Sequence, residues 1–124
     1  MEAQKERRED FRVAVRESLA ACIKADSETR LGILTDISRG GLAFRYVDFD
    51  YKPVSPGKTC RLTILNRDHE ILVDKVQARI AYDRDATQEF SFSLLKMKKI
   101  GIEFDGLPKD YTILLESLLG SFQP

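Results

Sequence analysis

The sequence contains no tryptophan, one histidine and two cysteines, and its twenty Lys and Arg residues are balanced by twenty Asp and Glu. Each scarcity excludes something. His69, set between charges in "RDHE", leaves no histidine pair for a metal site and reads as a solvated turn residue. Cys22 and Cys60 lie far apart in apolar, strand-like sequence without metal-ligand spacing, so they read as reduced core thiols of a cytosolic protein. A net charge of zero gives no global attraction to nucleic acid or to an acidic membrane, so any basic site has to be local. The longest stretch free of charge is the eight residues Ser117–Pro124, too short to cross a bilayer. Nine charges in the first sixteen residues are unlike a secretory leader. Neither GxxxxGK[ST] nor GxGxxG occurs, the serines lack a histidine partner in a triad order, and the carboxylates are scattered through polar, turn-like sequence. These absences predict a protein that is not an enzyme and needs no metal or cofactor.

What is present is the material of one domain: 124 residues, 43% of them hydrophobic. Residues 1–12, "MEAQKERREDFR", are almost all polar and of alternating sign, which predicts a flexible arm. From residue 13 the pattern changes. "RVAVRESLAACIKA" reads as a first strand with an irregularity near Glu17–Ser18, and "DSET" as a turn. Leu31, Ile33, Thr35 and Ile37 alternate as an inward face, as do Leu42, Phe44 and Tyr46, and then Leu62 and Ile64. "EILVDKVQARIAYD" is long for one strand and its apolar parity slips near Asp74, which a bulge would explain. "FSFSLLKMKKIGIEF" slips likewise, with Phe90, Phe92 and Leu94 inward before and Ile100, Ile102 and Phe104 inward after.

Six strands separated by turns predict a mainly β fold, a small barrel or a sandwich. The tail differs. Tyr111, Leu114, Leu115, Leu118 and Phe122 recur at helical spacing after Pro108 and Asp110, predicting an amphipathic helix over about 110–120. Its apolar stripe suits either a lid on one mouth of a barrel or a dimer face, so both monomer and homodimer stay open.

Two features carry chemistry. One is Arg7-Arg8-x-x-x-Arg12 in the arm, and the other is Asp36-x-Ser38-x-x-Gly41 between two strands. By chance the first arises in roughly one chain in seventy of this size and the second in roughly one in twenty. Singly they read as a solvated charge run and a side-chain-capped turn. Together they suit a guanine nucleotide. Arginine offers a planar fork that binds phosphate, stacks on a base and reads the O6/N7 edge of guanine. An aspartate accepts from the N–H donors on guanine's other edge.

Arg-Arg-x-x-x-Arg followed about two dozen residues later by Asp-x-Ser-x-x-Gly resembles the paired motif of PilZ domains, bacterial receptors for the second messenger cyclic di-GMP. The resemblance covers roughly residues 6–120 and includes Gly101-Ile-x-Phe104 and the final helix. It implies a six-stranded antiparallel β-barrel with a C-terminal α-helix, spanning 13–124 behind the arm at 1–12. It also implies that Arg8 and Arg12 grip guanine faces and phosphates, and that Asp36, Ser38 and Gly41 contact a guanine from the strand side. Arg7 fills the extra arginine position that accompanies an intercalated pair of ligands. Arg39 and Gly40 lie inside the motif and are additional candidates, and Arg79 is a more distant one. The implied protein is a stand-alone cytoplasmic receptor that orders its arm on binding cyclic di-GMP and signals through an unidentified protein partner. The alternative is a PilZ-like adaptor that binds protein without ligand. Binding to polymeric nucleic acid would want a basic groove with exposed aromatics, whereas most aromatics here have inward parity.

Overall fold

The computed structural model describes residues 13–15, 18–49, 51–87 and 95–120. The strands are β1 (Val13–Ala14), β2 (Ala20–Ala25), β3 (Glu28–Ile37), β4 (Gly41–Val47), β5 (Thr59–Leu65), β6 (Ile71–Asp85) and β7 (Met97–Glu103), followed by α1 (Lys109–Gly120). Six of them pair in the circular order β3-β2-β5-β6-β7-β4 and back to β3, every pairing antiparallel. The result is the closed six-stranded barrel expected from the sequence, with no open edge in the ring. β1 is an added two-residue strand on β3, with Val13 opposite Ile37 and Ala14 opposite Asp36. The irregular first strand is thus two strands, both laid along β3, and the Val15 amide donating to the Thr35 carbonyl at 3.0 Å continues the first of them.

Inside parity follows the sequence in β4, β5 and the second half of β7: Leu42, Phe44, Tyr46, Leu62, Ile64, Ile100 and Ile102 are all buried. In β6 the slip near Asp74 is a register shift. Leu62 faces Val76 but Ile64 faces Val73, and Lys75 takes a positive φ of 50°. Val73 then points in on one side of the bulge, and Ala78 and Ile80 on the other.

β3 departs from the expected alternation. Leu31 and Ile33 are 62% and 38% exposed, whereas Arg30 and Leu34 are each 2% exposed. The pairing with β4 skips Thr35, from Leu34↔Phe44 to Asp36↔Ala43. One extra residue reverses the faces, so Ile37 is inside although Ile33 is outside. A bulge therefore lies immediately before the acid–serine turn and turns Asp36 to the outer surface. Phe90, Phe92, Leu94 and Phe122 lie outside the described residues.

Burying Arg30 requires partners. Its guanidinium donates to the Thr29 carbonyl at 3.0 Å and to the Lys52 carbonyl, pairs with Glu28 at 3.0 Å, and lies 4.2 Å from the Tyr51 ring centroid. Nearby, the Asp83 carboxylate accepts from the Tyr46 hydroxyl at 2.7 Å and from the Val54 amide at 2.9 Å, and stands 3.4 Å from the Lys98 ammonium. Burial, with Asp83 beside it, pushes the Tyr46 phenol well above its usual range. This polar knot ties the long β4–β5 connection onto the barrel.

The helix stripe Tyr111, Leu114, Leu115 and Leu118 belongs to the same apolar core as the strands. Of the two uses expected for that stripe, the barrel lid is the one realised. Asp110 in the first turn complements the helix dipole. Tyr111 packs on Phe104 with ring centroids 4.5 Å apart.

Candidate functional site

Ser38, Arg39 and Gly40 make the connection from β3 to β4. Hydrogen bonds hold it shut. The Ser38 amide donates to the Gly41 carbonyl at 2.8 Å and the Ser38 hydroxyl to the same oxygen at 3.2 Å. From the helix, the Tyr111 hydroxyl donates towards the carbonyls of Ser38 at 2.5 Å and Gly41 at 2.8 Å, one proton shared between two acceptors. The Gly40 carbonyl accepts from the Phe104 amide at 2.9 Å. Ser38 is buried and shapes the turn, whereas Arg39 is exposed on it. Gly41 is needed for close approach, not for a left-handed backbone. A Cβ there would collide with the Ile102 carbonyl of β7.

Asp36 stands on the outer face with an 18% exposed side chain. The Thr35 hydroxyl donates to its carboxylate at 3.2 Å, and the Lys99 ammonium lies 3.6 Å away. Cross-strand pairing sets two rows on this face. The first runs Asp36, Ala43, Gly101, Tyr82 over β3, β4, β7 and β6. Its two middle positions carry small residues, and the Tyr82 ring lies across Gly101, where a Cβ would strike it. The second row, two residues along each strand, runs Arg45, Lys99, Arg84. The Arg84 guanidinium is 5.4 Å from the Tyr82 ring centroid.

The structure thus brings Asp36, Ser38, Arg39, Gly40 and Gly41 together around one turn. Arg79 is ion-paired with Asp105 at 2.9 Å and Glu103 at 3.5 Å. Arg7, Arg8 and Arg12 lie outside the described residues, but Val13, the residue after Arg12, pairs with Ile37, and Ala14 pairs with Asp36. The chain leading from the arginines therefore enters the sheet beside the acid–serine turn. Sequence reasoning missed Lys99, Tyr82, Arg45 and Arg84. Outward strand parity was the available signal for Lys99 and Arg45, whereas Tyr82 and Arg84 share the parity of buried Ile80 and face outward only because the pairing with β7 shifts between Ile80 and Tyr82.

Other reactive groups offer little chemistry. Burial pushes the Cys60 thiol up to about 11 and raises that of Cys22 as well, so neither is a ready thiolate. His69 is exposed at a positive φ of 64° in the β5–β6 turn. Among the described residues no cluster of three His, Cys, Asp or Glu side chains could hold a metal ion, and no helix is long and apolar enough to cross a membrane.

Comparison with known proteins adds a family. The model of the PilZ domain matches residues 6–121. No curated protein matches the chain by sequence. Among solved structures, the chain is similar to the Bacillus subtilis inhibitor of motility MotI/DgrA, with a TM-score of 0.64 and 18% identity over 90% of this chain and 49% of that one. It therefore spans about half the length of that protein. It is also similar to the PilZ domain with c-di-GMP of YcgR from Escherichia coli, with a TM-score of 0.61 and 16% identity over 93% of each chain. At these identities the two likenesses establish the fold.

Proposed function

The chain belongs to the PilZ domain family, and we propose on that footing that it is a bacterial, cytoplasmic receptor for cyclic di-GMP. The observation that supports the reading is the pairing of β1 with Asp36 and Ile37, which sets Val13, the residue after Arg12, on the strand that leads into the acid–serine turn. Asp36 accepts from the Watson–Crick edge of a guanine. Arg8 and Arg12 take phosphate and stack on the bases, and Arg7 supports a second ligand molecule. Ser38 and Gly41 hold the turn close enough for the base to approach the backbone. The cyclic di-GMP-bound YcgR domain, similar over nearly the whole chain, supports the ligand class.

Ligand binding orders the arm over the outer face, and the reshaped surface meets a protein partner. Ordering costs conformational entropy, so affinity of about −8 kcal/mol, micromolar, is expected. The activity is that of a binding module, not an enzyme.

Isothermal titration calorimetry with cyclic di-GMP, against GTP and cyclic di-AMP, tests the reading. Selective micromolar binding is expected, weakened at least tenfold by Arg8→Ala or Asp36→Ala with far-UV circular dichroism unchanged. Absence of heat and of thermal shift in the unaltered protein would overturn the receptor reading in favour of a ligand-independent adaptor.

A further inference from the structure

β2 and β5 stand across the ring from β7 and β4, away from the Asp36 face. Cross-strand pairing sets three rows on their outer surface. Ile33, Ala20, Leu65 and Ile71 follow one another over β3, β2, β5 and β6. Two residues along each strand come Leu31, Cys22 and Thr63, and beyond those Thr29, Lys24, Arg61 and Gln77. The flank therefore runs from apolar to cationic along the strands. At its apolar end Leu31 and Ile71 are 62% and 58% exposed, so two large side chains face water. At its cationic end lies a cleft of about 670 Å³ whose walls include Cys22, Lys24, Thr59, Arg61, Thr63 and Lys75. Lys75 reaches the cleft from the β6 bulge, where its φ is 50° and its amide donates to the Thr63 hydroxyl at 3.2 Å. Bulges recur beside functional sites, where they re-aim a side chain. Lys24 and Arg61 are directly opposed, a placement of like charges that destabilises a sheet. Among the described residues no carboxylate pairs with Lys24, Arg61 or Lys75, and Asp26, the acid on the cleft wall, is engaged by Lys58.

We propose that this flank is a docking surface for a short segment of a partner protein, apolar in one half and acidic in the other. The inference does not depend on the cyclic di-GMP reading. Strands lie about 4.8 Å apart and residues rise about 3.4 Å along them, so the three rows cover about 14 Å in each direction. That footprint fits one segment of a few residues, and in an extended segment its apolar and acidic positions stand about four residues apart. The apolar half covers Leu31, Ile33 and Ile71. The carboxylates enter the cleft and bring the counter-charge that Lys24, Arg61 and Lys75 lack, which turns the repulsion between Lys24 and Arg61 into shared attraction. An apolar patch rimmed by polar residues marks an interaction site, and opposite charges across it fix register and partner choice. An anionic bilayer offers the same two chemistries, but its flat surface cannot follow the cations into a concave cleft, so the protein segment is the better fit.

The test is fluorescence anisotropy of a labelled ten-residue peptide, leucine-rich in its first half and glutamate-rich in its second, titrated with the full chain at two salt concentrations. Two comparator peptides carry lysine for glutamate or serine for leucine. Expected are saturable binding that weakens with salt, and at least tenfold weaker binding of either comparator. K24Q/R61Q and L31S/I71S should each weaken the first peptide at least tenfold, whereas K109Q, on the exposed surface of α1, should stay within twofold of the unaltered protein. K24Q/R61Q relieves a like-charge opposition and should melt no lower than the unaltered protein, and L31S/I71S, at exposed positions, should melt within a few degrees of it. Absence of peptide binding to the unaltered protein, or affinity within twofold in either double variant, would overturn the docking surface. Equal binding of the serine peptide would reduce the flank to an anion site and overturn it likewise. So would capture of the chain by phosphatidylserine vesicles without binding of the peptide. No cyclic di-GMP is added, so failure here leaves the receptor reading standing.

Discussion

Replacing Tyr111 by phenylalanine removes one oxygen from the buried junction between the helix and the acid–serine turn. The ring stays, and with it the contact with Phe104 at 4.5 Å between centroids. What goes is the donor lying 2.5 Å from the Ser38 carbonyl and 2.8 Å from the Gly41 carbonyl. Gly41 retains the Ser38 amide and hydroxyl, so the loss falls mainly on the Ser38 carbonyl. A buried acceptor left without its donor costs about 1–3 kcal/mol. For a domain of this size that corresponds to a fall of roughly 3–15 °C in melting temperature. Urea unfolding followed by far-UV circular dichroism suits a protein without tryptophan, and Tyr111→Ala provides the scale, since removing the whole ring should cost about 3–5 kcal/mol. The binding consequence is separate: a loosened turn should weaken cyclic di-GMP although no charge has changed. A stability loss under about 0.5 kcal/mol for Tyr111→Phe would refute the idea that this hydroxyl clamps the turn.

The two close-packed glycines of the site should differ sharply. Gly41→Ala meets backbone of β7 and should cost more than about 3 kcal/mol, whereas Gly101→Ala meets the Tyr82 ring, which can swing aside, and should cost about 1 kcal/mol; equal unfolding midpoints would contradict this. Asp83→Ala strips the partner from Tyr46 and from the largely buried Lys98, and should destabilise by about 3–5 kcal/mol in urea unfolding; a loss under about 1 kcal/mol would reduce the knot to decoration. Cys60 titrates near 9 when unfolded and at about 11 when folded, so the folded state holds its proton more tightly. That stability is fully present below pH 9 and is lost as pH rises towards 11, on the order of 1 kcal/mol by pH 10. Urea unfolding at pH 8 and pH 10 should show the loss in the unaltered protein and a smaller one in Cys60→Ala; identical losses would assign it elsewhere.

The strands whose apolar residues alternate without interruption, β4 and β5, were legible as they stand. The β6 bulge was legible because the apolar parity visibly changes across it, from Val73 on one side to Ala78 and Ile80 on the other. β3 was not, because its bulge falls on Thr35, which is acceptable on either face, and because Leu31 and Ile33 look like core residues. The buried residue at its start is Arg30, whose burial depends on the Lys52 carbonyl and the Tyr51 ring on a distant loop. No local pattern announces such partners. The acid–serine turn was legible for the opposite reason: its spacing is local, and Gly41 is held to it by the steric demand of one neighbouring strand. Lys99 and Tyr82 reach Asp36's face only through the long-range pairing of β4 with β7, which no local pattern announces.

The bond from Tyr111 to Gly41 joins residues 70 apart in the chain. During synthesis at about 5–20 residues per second, the turn exists for roughly 4–14 s before its clamp has been made. The strands can pair in that interval, but the turn is held by its own hydrogen bonds alone. On the receptor reading, ligand competence would then be a late product of synthesis, acquired when the helix docks. A half-made chain would be a poor sink for the second messenger, and binding would report that translation has run past Tyr111.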